Sequence, residues 1–421
     1  MCVFYNKAKD IRAVIYGDDF TLLGADHHLD WFRKSIQDKY RVSIKGRLGP
    51  GEHDSRSVRL LNRVIEWDSA GIKYEPDLRH AEIVIQQLEL VDKYPLRPPG
   101  TRWSPKDVSE HDLQELGPEK ASNYRALVAR CNYLSQDRAD IRFAVKELCR
   151  KMSKPRNIDW DQLVRFGRYL RGRMRVVTEF NYQKDWKIMD VWSDTDHAGC
   201  LETRKSTSGG VMIFGSHVIK QWATTQGVVS LSSGEAEYYG CVRAGSQALG
   251  MMSLIGDLGV GKRRIRIKTD ASVAKSLAAR RGLGGIKHIE VNQLWLQGKV
   301  NVGEIEIEKV DTSINRADPL TKYKDQVAIN NHLKWTFQFP RSGRHEIMPK
   351  LCAADGYEIE PYQHVDGEDI STVTYDYNES VVHDHAGSQL SHSCDLIRLT
   401  SYCATSQMNA RAAATGITPG E

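Results

Sequence analysis

The chain has 421 residues, 40% of them hydrophobic, with 59 Lys+Arg against 54 Asp+Glu. That is room for two or three domains with packed cores. No apolar run reaches transmembrane length, no charged-then-apolar signal segment follows Met1, and the 8 cysteines are scattered without CxxC pairs, so the expectation is a soluble, intracellular protein of a reducing compartment with no membrane partner. The charge is uneven: residues 326–421 carry 6 Lys+Arg against 12 Asp+Glu, which leaves the positive excess upstream and suits a phosphate-backbone partner there.

Residues 10–24, DIRAVIYGDDFTLLG, read as two apolar runs around a Gly-Asp-Asp turn, a hairpin presenting Asp18 and Asp19 at its tip. The same pattern also suits an ordinary Asp-rich turn. Residues 26–44, with Leu29, Phe32, Ile36, Tyr40, Val42 and Ile44, predict an amphipathic helix and a short strand. A strand pair and a helix follow between Val58 and Leu90. Pro95, Pro98, Pro99 and Gly100 break the chain, and 100–120 reads as a polar linker.

Tyr124 to Pro155 has helical period and predicts two helices meeting near Asp137 to Asp140. Trp160 to Arg175 predicts another, with Leu163, Phe166, Tyr169 and Leu170 inward. Its arginines, Arg165, Arg168 and Arg171 among them, suit phosphate contacts or equally a solvated helix face.

Trp186 to Ser193 suits a strand, and Gly209–Phe214 with His217–Ala223 forms a hairpin turning at Gly215-Ser216. Ser232 or Ser233 offers an N-cap for a long helix reaching toward Gly256. Arg264 to Thr269 alternates strictly and ends at Asp270. Helices through Ala271–Ala279 and His288–Lys299 and a strand over Glu304–Val310 complete a β-β-β-α-β-α-α-β-α order. Three antiparallel strands extended by two parallel ones make a mixed five-stranded sheet with helices on its faces, an α/β fold.

Four acids stand on successive elements of this stretch: Asp194, Glu237, Asp270 and Asp318. Any one of them alone reads as a helix cap or a solvated strand end; four in this order point to a shared site. On the long helix Glu237 begins the stripe Cys241, Ala244, Ala248, Met251, Ile255, and Glu235, rotated by roughly 200°, is expected to face solvent. Period-two parity does not separate Asp194 from Asp196.

The segments Asp194-Thr195-Asp196-His197-Ala198-Gly199, Arg204-Lys205-Ser206-Thr207-Ser208-Gly209, Leu231-Ser232-Ser233 with Glu235-Ala236-Glu237-Tyr238, Lys287-His288-Ile289 and Ala317-Asp318-Pro319-Leu320-Thr321-Lys322 closely resemble the ribonuclease H domain of copia-type LTR retrotransposon Pol polyproteins. The resemblance implies a ribonuclease H-like fold for 186–323, with Asp194, rather than Asp196, joining Glu237, Asp270 and Asp318 as ligands of two Mg²⁺ or Mn²⁺ ions. Such a site hydrolyses the RNA strand of an RNA–DNA hybrid, and two-metal phosphodiester chemistry needs hard oxygen ligands crowded in this way. His288 reads either as an aid to proton transfer or product release or as a buried structural histidine, the latter preferred.

Upstream, Tyr16-Gly17-Asp18-Asp19 is similar to the YxDD box of reverse transcriptase. This implies that 1–99 is a partial palm and thumb whose partner aspartate would lie before Met1, so no polymerase activity is expected. It also implies that 100–185 is a linker and helical connection segment, and that an upstream polymerase portion or intact reverse transcriptase is a partner. The expected location is cytoplasmic, in virus-like particles, or nuclear. Residues 328–340 suggest one more helix and strand packed on the ribonuclease H domain. The tail 324–421 is otherwise expected to be largely disordered; His383, His385, His392 and Cys394 there have zinc-like spacing that chance also supplies. The alternative to a nuclease is a catalytically silent transposon remnant that at most binds nucleic acid.

Overall fold

The structure is a computed structural model that describes residues 2–184, 186–284, 288–289 and 293–351, together with the backbone of 398–404. The four His/Cys positions with zinc-like spacing lie outside the described residues.

Three five-stranded sheets organise the chain. The first begins with β1 (Cys2–Asn6), β2 (Ile11–Tyr16) and β3 (Asp19–Gly24), followed by α1 (Asp26–Gln37) and β4 (Val42–Leu48). The β2–β3 hairpin is the one expected. Gly17 turns it at φ +58, a left-handed conformation that glycine adopts without a Cβ clash, and Asp18 is exposed at the tip. α1 buries Leu29 and Ile36, and Leu29 packs with Ile11, Ala13 and Leu22 of the hairpin.

Next come β5 (Ser57–Leu60), β6 (Arg63–Trp67), β7 (Gly71–Glu75) and α2 (Arg79–Gln87), then α3 (Glu110–Leu113), α4 (Pro118–Leu134), α5 (Arg142–Cys149), α6 (Asn157–Gly172) and β8 (Arg175–Asn181). α4 and α5 meet around 135–141, as their apolar periods predict. α6 buries Leu163, Phe166, Tyr169 and Leu170 in a core shared with α2, α4 and α5. β8 was not foreseen: it buries Val176, Val177 and Phe180, and it pairs antiparallel with β7.

The third sheet is the mixed one. It contains β9 (Ile188–Thr195), β10 (Thr207–Phe214), β11 (His217–Thr225), then α7 (Ser233–Asp257), β12 (Arg264–Thr269), α8 (Ser272–Ala279), α9 (Trp295–Asn301) and β13 (Ile305–Lys309). Its order is β11-β10-β9-β12-β13, with β9–β10–β11 antiparallel and β12 parallel to both β9 and β13. This is the topology expected from the element order. One face packs Met189, Val191, Ile265, Ile267 and Ile305 against α7, α8 and α9; the other packs Trp192, Val211 and Ile213 against Leu320 and against Phe143 of α5. At Gly210 a Cβ would lie 2.0 Å from the Trp222 ring, so this crossing of β10 and β11 admits glycine alone.

The expected helix from His288 is shorter than the period implied. α9 starts at Trp295, and His288 lies in a turn. α10 (Gln326–Trp335) and β14 (Gln338–Arg341) also form, but β14 pairs with β8 in the second sheet rather than adding to the mixed one. The reason is local: Gln338 donates to Asp137 O and accepts from Ala139 N, which ties β14 to the α4–α5 junction. That second sheet, β14-β8-β7-β6-β5, therefore draws strands from 57–75, 175–181 and 338–341.

Two stretches after 341 have defined places among the described residues. Met348 is buried in the helical core and Arg344 pairs with the buried Glu82. Residues 398–404 form β15 (Arg398–Ala404), hydrogen-bonded antiparallel to β3 on one side and β4 on the other. β3 and β4 would otherwise each leave a row of unpaired backbone groups. Among the described residues no helix is long and apolar enough to cross a membrane.

Candidate active site

Asp194 is the penultimate residue of β9, between the hairpin partner β10 and the parallel neighbour β12. Asp270 follows the last residue of β12. Adjacent parallel strands thus release both carboxylates at the same sheet end. Glu237 comes from the first turns of α7, which packs across β9. That helix starts where expected: the Ser232 hydroxyl accepts from Glu235 N at 3.2 Å, satisfying one of the free N–H groups of the first turn.

One oxygen each from Asp194, Glu237 and Asp270 lie within 4.8 Å of one another. Three carboxylates at that spacing repel unless proton or cation intervenes. Burial, reinforced by Asp194 and Asp270, pushes Glu237 up to about 9. Burial, with Asp318 and Asp270 adding and Thr321 and Lys322 opposing, pushes Asp194 up to about 6. Glu237 Oε1 accepts from Thr195 N at 3.3 Å, while the buried Oε2 has no hydrogen-bond partner among the described residues. A buried oxygen left unbonded inside a crowd of acids fits a divalent cation, whose hard-oxygen preference matches the donor set.

Asp318 stands outside this convergent three. It opens a 3-10 turn, Asp318–Leu320, that packs under β9 and β10, and it is ion-paired with Lys322 at 2.5 Å and with Lys324. It is still near enough to raise the proton affinity of Asp194.

Asp196, which parity left level with Asp194, has a different task. It accepts from Thr207 N at the mouth of the β9–β10 pair and is not in the convergent group.

Two residues that sequence reasoning passed over hold Asp194 in place. Thr321 Oγ1 donates to its Oδ2, and Asn315 Nδ2 donates to Ser193 O at 3.0 Å and to Asp194 Oδ1 at 3.5 Å. The signal for Thr321 was within the quoted Ala317–Lys322 segment, where only the aspartate received a role.

Glu235 corrects the helical-wheel expectation: it is 1% exposed rather than solvent-facing. Its side chain points back toward the helix start, as first-turn side chains do. There it accepts from Leu231 N at 2.9 Å, from Tyr239 OH at 2.9 Å and meets His288 Nε2 at 2.7 Å. Burial pushes this carboxyl up, but His288, Leu231 N and Tyr239 outweigh it and hold the carboxyl below its usual range. His288 in turn is not buried; 45% of its side chain is exposed, because it covers Glu235 from outside.

Arg165, Arg168 and Arg171 are engaged with backbone rather than free. Arg168 Nε donates to Tyr94 O at 2.7 Å, Arg171 Nε to Val91 O at 2.8 Å, and Arg165 to Arg97 O at 3.5 Å, so the three strap residues 91–97 onto α6. Asp18 and Asp19 are not part of any convergent group of metal-ligating side chains among the described residues. Cys403 of β15 is in register with Asp19.

No family model matches the chain. It is 25% identical over 328 residues to the retrovirus-related Pol polyprotein from transposon TNT 1-94 of Nicotiana tabacum, a match covering 76% of this chain and 24% of that one. It is 31% identical over 226 residues to an uncharacterized mitochondrial protein of Arabidopsis thaliana, covering 53% of this chain and 88% of that one. The chain thus spans about a quarter of the tobacco protein's length. Among solved structures, the N-terminal ribonuclease H domain of a Mycobacterium tuberculosis protein is 19% identical and covers 32% of this chain and 95% of that one, with a TM-score of 0.24.

Proposed function

Because the chain belongs to the copia-type retrotransposon Pol polyproteins, we propose that residues 186–323 act as a metal-dependent ribonuclease H that cleaves the RNA strand of RNA–DNA hybrids. The observation that carries this reading is the meeting of Asp194, Glu237 and Asp270 at one end of a mixed sheet, with a buried Glu237 oxygen unbonded. Asp194, Glu237, Asp270 and Asp318 are the ligands proposed for two Mg²⁺ or Mn²⁺ ions. Bound there, such ions supply an activated water and charge neutralisation at the leaving oxygen.

The chain's own part is to hold and aim. Thr321 and Asn315 fix the Asp194 carboxylate, and Thr195 N fixes one oxygen of Glu237. Glu237 keeps its proton near neutral pH until a cation takes its place, since burial and two neighbouring acids disfavour its charge. The 3-10 turn brings Asp318 to the same sheet end, where Asp194 feels its charge.

Residues 1–99 are proposed to be a polymerase-inactive palm and thumb remnant, with an upstream polymerase portion as partner. The hairpin presenting Asp18 supports this reading. A second reading, a silent remnant that only binds nucleic acid, is favoured by one observation: Asp318 is paired with two lysines and is not among the three acids that converge. The two readings separate in an assay on an end-labelled hybrid with and without Mg²⁺, comparing the parent chain with Asp270→Asn. Cleavage that needs Mg²⁺ and drops at least 100-fold in the variant supports the nuclease; equal product from both proteins refutes it.

A further inference from the structure

Each carboxylate oxygen of Asp318 meets a lysine. Lys322 Nζ lies 2.5 Å from Oδ1, and Lys324 Nζ takes Oδ2. The two lysines differ in freedom: the side chain of Lys322 is 50% exposed and that of Lys324 is 25% exposed. They also differ in reach. Lys322 interacts electrostatically with Asp194 and Asp270 as well as with Asp318, and it opposes the upward shifts of both Asp194 and Glu237. One flexible ammonium therefore serves the whole acidic group. A point charge on a four-carbon stem can trade partners without moving the backbone.

We propose that Lys322 is the resident counter-cation of the metal-free site, displaced from Asp318 when a divalent cation enters and then free to take a phosphate oxygen of the nucleic acid. The inference rests on the reading of these acids as a divalent-cation site. It assigns Lys324, the less exposed of the pair, to keep Asp318 oriented while Lys322 leaves. It also accounts for Asp318 standing apart from the other three acids without requiring any change in the fold, because the exchange involves one side chain at the rim.

The test is calorimetric titration of the full chain with Mg²⁺ alone, no nucleic acid present. Lys322→Met removes the competitor and is expected to tighten Mg²⁺ binding about 5-fold, whereas Lys322→Arg, which restores the charge, should bind as the parent does. In an Asp318→Asn background the Lys322→Met gain should shrink, since its ion-pair partner is gone while its interaction with Asp194 and Asp270 remains. At saturating Mg²⁺, Lys322→Met should raise KM for a hybrid about 5-fold with kcat within about twofold, the sign of a lost phosphate contact. Unchanged or weaker Mg²⁺ binding in Lys322→Met, or an undiminished gain in the Asp318→Asn background, overturns the counter-cation role. A parent chain that takes up no Mg²⁺, or an Asp270→Asn variant that binds it as the parent does, instead overturns the metal-site reading and this inference with it.

Discussion

Glu237→Gln offers a test of the site's electrostatics that does not depend on turnover. In the folded chain Glu237 is pushed up to about 9 from an ordinary 4.5, by burial first and then by Asp194 and Asp270. The folded state therefore holds a proton that the unfolded chain has released. Stability is full below about pH 4.5 and is lost as pH rises toward 9. At pH 8, with about 1.4 kcal/mol for each pH unit between the two values, the loss approaches about 5 kcal/mol. Glutamine keeps the acceptor that meets Thr195 N and places an N–H₂ where Oε2 has no partner, facing two carboxylates. The variant should accordingly be more stable than the parent at pH 8 without metal, by about 2–5 kcal/mol, or about 5–15 °C in the melting of this unit. At pH 5 the two proteins should nearly coincide. Added Mg²⁺ should raise the parent's melting temperature more at pH 8 than at pH 5 and should raise the variant's far less. A variant that melts lower than the parent at pH 8 in the absence of metal would refute the reasoning, since it would mean that the native carboxyl is supported rather than crowded.

Other substitutions probe the frame around the site. Asp140→Asn breaks an ion pair with Arg138 in which neither side chain is exposed, and should cost about 3–5 kcal/mol in denaturant melts; a loss under 1 kcal/mol would show that the Arg138 bonds to the Met174 and Arg173 carbonyls suffice. Gly210→Ala drives a Cβ into the Trp222 ring and should destabilise by at least about 2 kcal/mol, read by the same melts. His288→Ala removes the outer partner of the buried Glu235 and should cost about 1 kcal/mol above pH 5. That contribution fades as pH falls through and below the ordinary glutamate value of 4.5, because a carboxyl held below its usual range stabilises only while ionised. A cost that grew on acidification would contradict the pairing.

The mixed sheet was legible because each of its signals is local. Strict alternation from Arg264 to Thr269 marks β12 and places Asp270 at its end, Gly215 marks the hairpin turn with φ +64, and Ser232 caps α7. What escaped were the features set by distant partners. The helical wheel sent Glu235 to solvent because it knows only the helix's own stripe, not the Leu231 segment and His288 that close over the first turn. β8 was hidden in the run-out of α6, since Met174, Val176 and Val177 continue an apolar run that only the neighbouring β7 and β14 turn into a strand. The same holds for β15, whose backbone finds its partners hundreds of residues away. Among the acids, position along the chain was readable for all four, whereas the ion pairs that hold Asp318 aside depend on where Lys322 and Lys324 lie in space.

The strand β14 leaves the mixed-sheet unit and returns to lie beside β8, while β8 itself is bound to β7. Stretches of chain that precede and follow the mixed-sheet unit are thus knitted through one another's backbones. Recombination that exchanged the unit with a crossover just after 323 would leave β8 bound to its own β7 but facing a β14 from the other parent. Lineages that shuffle this region are expected to inherit 57–75, 175–181 and 338–341 as one block, with their breakpoints falling outside it.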